Sequence, residues 1–313
     1  MKQHNPLLPN KGSALVLAMM IVAITAAIAY ALIETSTFAV RRTTLLHNTD
    51  MCKQAVYAAE LYAQELLYQP KDKGPMITDS QEIWALPFEL NLEQDITILG
   101  KISDLQGQFN VNLLRQSGRP DIYSPELVFS RLLMLLNIAD AQSLQQSLSE
   151  WVGDASSESD QIYLERTPAY RPAHSPLVSI SELALVQGFI IQKTTVLNPF
   201  VSALSEGANI NVNTASSQVL GALLNTSDSA ARSLVDERIA YPFNTNDEFM
   251  QRATSKGIAI SDQGALNQMI NVNSNYFLLK TTASCQKTSL ISYSFIERNA
   301  EGIAKVYRRT QAL

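Results

Sequence analysis

Three carboxylates lie close together in one serine-rich segment of the chain, at Asp154, Glu158 and Asp160. Carboxylate oxygens are preferred ligands of Ca²⁺, and a calcium site takes about 6–8 oxygens. The spacing therefore predicts a calcium site at these three residues. The alternative is a solvated acidic loop, which is favoured by the absence of the Asp-x-Asp-x-Asp-Gly run of common calcium loops.

A second pattern predicts two short helices joined by a tight turn. Asn213 or Thr214 is suited to cap the first helix, and the second is expected over Ser229–Ala240. This arrangement resembles a helix-hairpin-helix element, which binds the DNA backbone. The turn at Asn225–Asp228 lacks the glycines that let backbone N–H groups approach a phosphate, and the net charge of −5 offers no basic surface. A membrane-anchored DNA-uptake protein is kept as the alternative function.

No residue pattern in the chain predicts catalysis. Of the three histidines, His4 and His47 lie in the N-terminal part and His174 is alone among prolines. Motifs of metalloproteases, serine hydrolases and nucleotide-binding loops are absent from the sequence. We therefore expect no catalytic residues and no enzyme activity.

The elements that position these residues fall into two classes. Alternating residues predict strands over 95–103, 276–284, 289–297 and 302–309. Between them, helical spacing predicts helices over 125–137 and 139–152, and the capping box Ser179–Glu182 opens a helix running to Gly188. A helix-rich stretch between strands indicates an inserted domain.

The N-terminal region predicts one very long helix. No glycine or proline lies between Gly12 and Pro70, and Ser13–Ile33 carries no charge. At ~1.5 Å per residue, this uncharged stretch crosses a hydrocarbon layer of ~30 Å. Lys2 and Lys11 precede it, which keeps the amino end in the cytoplasm. A cleaved secretory signal and an uncut anchor are the alternatives.

Beyond the predicted span, small and apolar residues recur on one stripe of the helix, which we term the stalk seam. The seam consists of Cys52, Ala55, Val56, Ala59, Tyr62, Ala63 and Leu66. Lys53, Gln54, Glu60 and Gln64 are expected elsewhere on the helix, and the seam is expected to meet a folded domain. A bridge between Cys52 and Cys285 is left open, because their separation in sequence says nothing about their distance.

The residues Lys11-Gly12-Ser13 before an apolar helix resemble the leader of type IV pilins and pseudopilins, which prepilin peptidase cuts after a glycine. Most such subunits carry glutamate at the fifth mature position, where this chain has Leu17. Several motifs in order resemble one family in particular, the K-type minor pseudopilins of type II secretion systems (general secretion pathway protein K). These motifs are Gly12-Ser13, Arg41–Thr43, Gln54–Glu60, Asp104–Asn112, Arg131–Leu133, Tyr170–Pro172, Ser181–Leu183 and Asn211–Ala215.

The resemblance implies processing between Gly12 and Ser13 and a place at the tip of the periplasmic pseudopilus with the I and J minor pseudopilins. It implies that the stalk seam contacts these partners, and that nucleic acid is not one. The chain would span the inner membrane once, with its C-terminal domain in the periplasm. It also implies calcium near Asp154 and Asp160, although Gly153 and Ser159 replace two carboxylates of the family pattern.

The predicted fold class is α+β. A long N-terminal helix packs on a small antiparallel sheet of pilin type, and a large all-α domain with a helix-hairpin-helix-like element is inserted. The predicted limits are 1–12 for the leader, 13–69 for the helix with 13–33 in the membrane, 70–112 with 271–313 for the sheet domain, and 113–270 for the insertion.

Overall fold

The computed structural model describes residues 13–70, 77–92, 95–115, 121–153 and 157–312, with the backbone alone at 157–159 and 312. Within this part, the helices are α1 Ser13–Leu67, α2 Pro125–Leu135, α3 Ala141–Val152, α4 Ser157–Leu164, α5 Ile191–Leu197, α6 Ser217–Leu224, α7 Asp228–Ala240, α8 Asn246–Ser255 and α9 Gln263–Asn267. The strands are β1 Phe88–Leu92, β2 Ile96–Asp104, β3 Phe109–Asn110, β4 Val201–Ser202, β5 Ile210–Asn211, β6 Ile270–Asn271, β7 Tyr276–Cys285, β8 Thr288–Arg298 and β9 Ala304–Ala312.

The predicted α+β fold is confirmed, with α1 as one unbroken helix. It is the helix of the described chain that is long and apolar enough to cross a membrane, and the most apolar part of α1 is not covered by any other part of the chain. Burial begins only at Asn48 and continues to Leu67. The N-terminal part of α1 is therefore separate from the folded body, and the C-terminal part belongs to it.

The sheet behind α1 is antiparallel, in the order β1-β2-β7-β8-β9. All four predicted strands are confirmed to within a few residues. The edge strand β1 was not predicted, because it is short and only two of its five side chains are partly buried. The alternating burial along β7 and β8 gives the sheet an inner face, which packs on α1, and an outer face.

The helical body has a separate core, built from α2, α3, α6, α7 and α8 together with the loops between them. Two very short parallel strand pairs, β3 with β4 and β5 with β6, interrupt the predicted all-α character. Each pair joins segments far apart in sequence, which local patterns do not reveal. Core residues of this body run from Phe109 to Ile270, and those of the sheet lie outside that range.

Two local expectations are corrected in the helical body, and one is confirmed. The cap of α6 is Ser216, whose hydroxyl accepts from Val219 N, because the side chains of Asn213 and Thr214 bond elsewhere. The capping box of Ser179 and Glu182 is confirmed. It opens a short 3-10 helix that ends at Leu185, so the predicted continuation to Gly188 is wrong.

A disulfide joins Cys52 to Cys285, with 5.7 Å between the Cα atoms. Both residues are fully buried, and the bond links the first buried turns of α1 to the end of β7. It therefore holds α1 on the sheet at the end of the body nearest the uncovered part of the helix.

We predict that replacing both cysteines by alanine lowers the free energy of unfolding by about 2–4 kcal/mol, because the bond closes a very long loop in the unfolded chain. Denaturant unfolding followed by tryptophan fluorescence measures the change. Native protein treated with dithiothreitol serves as the matched control and should lose a similar amount. Equal stability of the oxidised and reduced proteins would contradict the prediction.

Candidate assembly site

The stalk seam lies against the chain's own sheet. Cys52, Ala55, Val56, Ala59 and Ala63 are buried in the core that α1 forms with β2, β7 and β8. The remaining two seam members also contact this body: the Tyr62 ring lies edge-on to Phe88 with 4.9 Å between centroids, and Leu66 packs on the same core. Five of the seven seam residues are thus covered by the chain's own sheet and have no surface left for another subunit. Tyr62 is 38% exposed and Leu66 is only partly buried, and for these two the contact with the I and J subunits stays a prediction.

Glu60 was expected away from the seam, but it is buried. Its two carboxylate oxygens lie 2.7 and 2.8 Å from Arg309 Nε and Nη2, and Ser294 Oγ donates to it over 2.6 Å. A buried carboxylate needs such partners, since an unpaired charge in a protein interior is costly. The pair therefore joins α1 to β9 across the sheet's inner face.

The surface of α1 that faces away from the sheet is apolar in several places. Tyr57 is 50% exposed and Leu61 is 68% exposed, one turn apart along the helix. Between Ile33 and Asn48 no residue of the helix is buried, and large apolar side chains there are also exposed: Phe38, Val40, Leu45 and Leu46. We term Tyr57, Leu61 and these four residues the outer stripe. Phe38 and Leu45 lie on the helix face of Val56 and Cys52, N-terminal to the first turn that the sheet covers.

A group of buried and partly buried polar residues lies where the helical body leaves and rejoins the sheet, and we term it the junction network. Its members are Thr78, Asp104, Gln106, Asn211, Thr214, Ser274 and Arg298. Asp104 Oδ2 accepts from Ser274 Oγ and Thr214 Oγ1, and from Asn211 Nδ2 at 3.2 Å. Asp104 ends β2, Asn211 lies in β5 and Ser274 precedes β7. One carboxylate thus connects both bodies.

Arg298 extends the junction network to the end of α1. Its Nη1 donates to the Leu67 carbonyl at 3.4 Å and to Gln69 Oε1 at 2.8 Å, and its Nη2 donates to Thr78 Oγ1 at 2.7 Å. The guanidinium carbon lies 5.2 Å from the centre of the Phe277 ring. A cation at a helix C-terminus is favourable because the last carbonyls carry partial negative charge.

Burial is the main influence on the Asp104 carboxyl. It raises the pKa above the ordinary 3.8, and the hydrogen bonds from Ser274, Thr214, the Gln106 backbone and Asn211 act in the opposite direction. Burial likewise lowers the pKa of Arg298, although it stays a cation at neutral pH. Protonation of Asp104 is therefore linked to the stability of the junction.

The hairpin formed by α6 and α7 does not present cations to solvent at its turn. Arg238 on α7 is buried, donates to the Val212 carbonyl at 2.6 Å, and has a pKa lowered by burial to about 10. Arg232 pairs with Asp228, whose other carboxylate oxygen accepts from Ser217 Oγ. Nothing in this geometry favours the DNA-binding alternative over a packed structural hairpin.

The predicted calcium ligands are described only at Asp160. Asp154 and the side chain of Glu158 lie outside the described residues. Asp160 Oδ1 lies 2.8 Å from His174 Nε2, and the carboxylate keeps further lone pairs with which it can coordinate a cation. Among the described side chains, no three His, Cys, Asp or Glu residues are grouped as a metal site requires. The calcium site stays a prediction.

Comparison with known proteins identifies the family of this chain. The family model described as type II secretion system (T2SS), protein K matches residues 107–206, and a second model of the same description matches 210–273. Together they cover just over half of the chain. The chain belongs to the protein K family of the type II secretion system. The family expected from the sequence motifs is confirmed.

Relatives in the protein K family extend over nearly the whole chain. The protein of Pseudomonas aeruginosa is 29% identical over 96% of this chain and 92% of its own length, and that of Klebsiella pneumoniae is 27% identical over 96% of both. The crystal structure of the GspK-GspI-GspJ complex from enterotoxigenic Escherichia coli contains a chain of the same fold, with a TM-score of 0.77. That match has 24% identity and covers 87% of this chain and 99% of the other.

Two of the motifs that indicated protein K contain four of the seven residues of the junction network. Asp104–Asn112 and Asn211–Ala215 supply buried amides that bond to backbone groups of other segments. Asn112 Nδ2 donates to the Leu204 carbonyl, and the Asn213 side chain both donates to and accepts from the Phe243 backbone. The sequence analysis assigned Asn213 or Thr214 to a helix cap and gave the other residues of these motifs no role. The alternation of asparagine with Ile210 and Val212 was the available signal, since it places polar side chains inside an apolar segment.

We predict that Asp104→Asn changes how stability depends on pH. Because the folded-state pKa of Asp104 lies above the unfolded value, its stabilising contribution is present below about pH 4 and is lost as the pH rises through the folded pKa. The variant lacks this titration. The native protein therefore loses this contribution between about pH 4 and pH 8, and the variant has none to lose. The free energy of unfolding of the variant minus that of the native protein should become more positive over this range.

Guanidinium unfolding at several pH values measures this difference, and the same measurement on Asp236→Asn, at an exposed aspartate of α7, controls for the loss of one carboxylate from the chain. A difference independent of pH for Asp104→Asn would contradict the prediction.

Proposed function

We propose that this protein K chain forms the tip of the periplasmic pseudopilus together with the I and J minor pseudopilins, and that it initiates pseudopilus assembly to support protein export. The observation that carries the proposal is the division of α1. One stretch is apolar and uncovered, and the other is fixed on the sheet through the stalk seam, Glu60 and the disulfide. Such a helix connects a membrane to a rigid periplasmic body.

The membrane arrangement follows from the same helix. Ser13–Ile33 is long enough to cross the bilayer, and the lysines before it favour an amino end in the cytoplasm. A disulfide in the body fits the oxidising periplasm. The chain is then a single-pass inner-membrane protein, processed by prepilin peptidase, and acts as a structural subunit.

Leu17 supports a terminal position in the pseudopilus. In the pseudopilin arrangement, a glutamate at the fifth mature position meets the terminal amine of a neighbouring subunit. Ser13–Ile33 carries no carboxylate, so this chain cannot make that contact inside the membrane. A subunit at the tip has no neighbour beyond it and does not require one.

The outer stripe is the surface that supports partner contact, in place of the five buried members of the stalk seam. Its large apolar side chains are exposed along several turns of α1. The GspK-GspI-GspJ complex of Escherichia coli assembles a chain of this fold with GspI and GspJ. Helices of neighbouring pseudopilins that pack side by side would bury the stripe, and the burial would favour the complex.

We predict that Gly12→Val leaves the leader attached to the chain, because prepilin peptidase cuts after glycine. Intact mass and N-terminal sequencing of the protein recovered from membranes measure processing. Gly207→Val is the matched control, because a Cβ at Gly207 meets no atom within 4 Å, and it should be processed normally. A native mature chain starting near Leu32 would contradict both the cleavage site and the membrane role of α1.

We predict that Leu61→Glu reduces co-purification with the I and J minor pseudopilins of the same system by about tenfold, since a buried carboxylate without a partner costs more than about 1.4 kcal/mol. Leu185→Glu is the control, because Leu185 is also exposed but lies on the helical body. If both variants retain the partners equally, the outer stripe is not the contact.

A further inference from the structure

A cleft of about 400 Å³ lies between the outer face of the sheet and loops of the helical body. We term it the junction cleft. Its lining combines sheet residues with the loops at Ser179–Ser181 and Asn198–Ala203. This volume falls within the ~300–1,000 Å³ typical of ligand pockets, and the cleft lies where two bodies meet.

The floor of the junction cleft is apolar. Leu105, Leu278 and Phe295 all line it, and they belong to a small hydrophobic cluster at the outer face that is separate from the two main cores. Ile180 and Val201 line it from the helical body. The cleft therefore offers an apolar side chain a place out of water.

A β-bulge in β9 places a cation beside this floor. Phe295 pairs with Arg308 and Ile296 pairs with Val306, so Tyr307 is the extra residue. A β-bulge bends the strand and changes the direction in which the side chains beside it point. Arg308 then lies on the outer face, with its guanidinium carbon 3.7 Å from the centre of the Phe295 ring.

Arg308 is the one formally charged residue among the described residues that line the junction cleft. It donates through Nη1 to the Val178 carbonyl, while its buried Nε has no hydrogen-bond acceptor in the described chain. Ser202 Oγ, also in the lining, is buried and without a partner. Glu297 lines an adjoining pocket together with Arg308, and it accepts from Tyr276 Oη at 2.9 Å.

We propose that the junction cleft binds an extended segment of a partner protein in which apolar and acidic residues alternate. Successive side chains of an extended segment point in opposite directions, so an apolar side chain can occupy the floor while a neighbouring carboxylate reaches Arg308 at the rim. The Arg308 guanidinium, which donates to the Val178 carbonyl and lies on the Phe295 ring, favours a carboxylate over an amide or an amine. This binding site is distinct from the outer stripe of α1 and does not depend on the assembly role.

The test uses the full mature chain in lipid nanodiscs and a fluorescein-labelled, C-amidated peptide of alternating leucine and glutamate. Matched peptides replace glutamate by glutamine or by lysine, and fluorescence anisotropy measures binding. We expect saturable binding of the leucine–glutamate peptide, at least about tenfold tighter than that of the glutamine peptide.

Arg308→Gln should remove most of this preference, whereas Lys305→Gln, an exposed cation of the same strand outside the cleft, should retain it. Ser181 is an exposed residue on the rim of the cleft, and Ser181→Trp should block binding of all three peptides. This second variant tests the proposal if Arg308→Gln does not fold. The proposal is overturned if the glutamate and glutamine peptides bind equally well, or if no peptide shows saturable binding. It is also overturned if Lys305→Gln loses the preference for glutamate as much as Arg308→Gln does, or if Ser181→Trp binds the peptides as the native protein does.

Discussion

The contact between α1 and the inner face of the sheet is the constraint on which the rest of the molecule depends. A helix that extends out of a body can position that body only if its other end cannot rotate or slide. Small side chains in the stalk seam let the helix approach the sheet closely, and the Glu60–Arg309 pair is specific to one rotation of the helix. The disulfide then fixes the position along the helix axis.

The junction network has the same role for the helical body. An inserted domain is attached to its host by two chain crossings, and two crossings alone would permit hinge motion. Here the crossings are held together by Asp104, Asn211 and Ser274, and Arg298 adds the C-terminal end of α1. Asn211, Ser274 and Arg298 are buried and Asp104 is partly buried, so each would lose partners if the bodies separated, and that loss opposes the hinge motion. The junction cleft lies on the outer face of the same rigid unit.

Local signals in the sequence were sufficient for most elements. The strands β2, β7, β8 and β9, the helices α2 and α3, and the capping box at Ser179 follow from alternation, helical spacing and capping chemistry. The errors have tertiary causes. Asn213 and Thr214 are good capping residues, but Phe243 and Asp104 engage them, so Ser216 caps α6 instead. Glu60 was expected away from the seam, because its partner Arg309 is distant in sequence and local patterns do not reveal the pair.

By itself the sequence determined the long helix, its membrane-length apolar stretch, the α+β class and the family, because these depend on composition, periodicity and motif order along the chain. Only the tertiary structure decided which surface of α1 is free, whether Cys52 meets Cys285, and what the asparagine-rich motifs do. Each of these depends on a contact between residues far apart in sequence, and the geometry of such a contact is set by how the whole chain packs. The seam was recognised correctly as the apolar face that meets a folded domain, and the structure shows that five of its members are buried against the chain's own sheet.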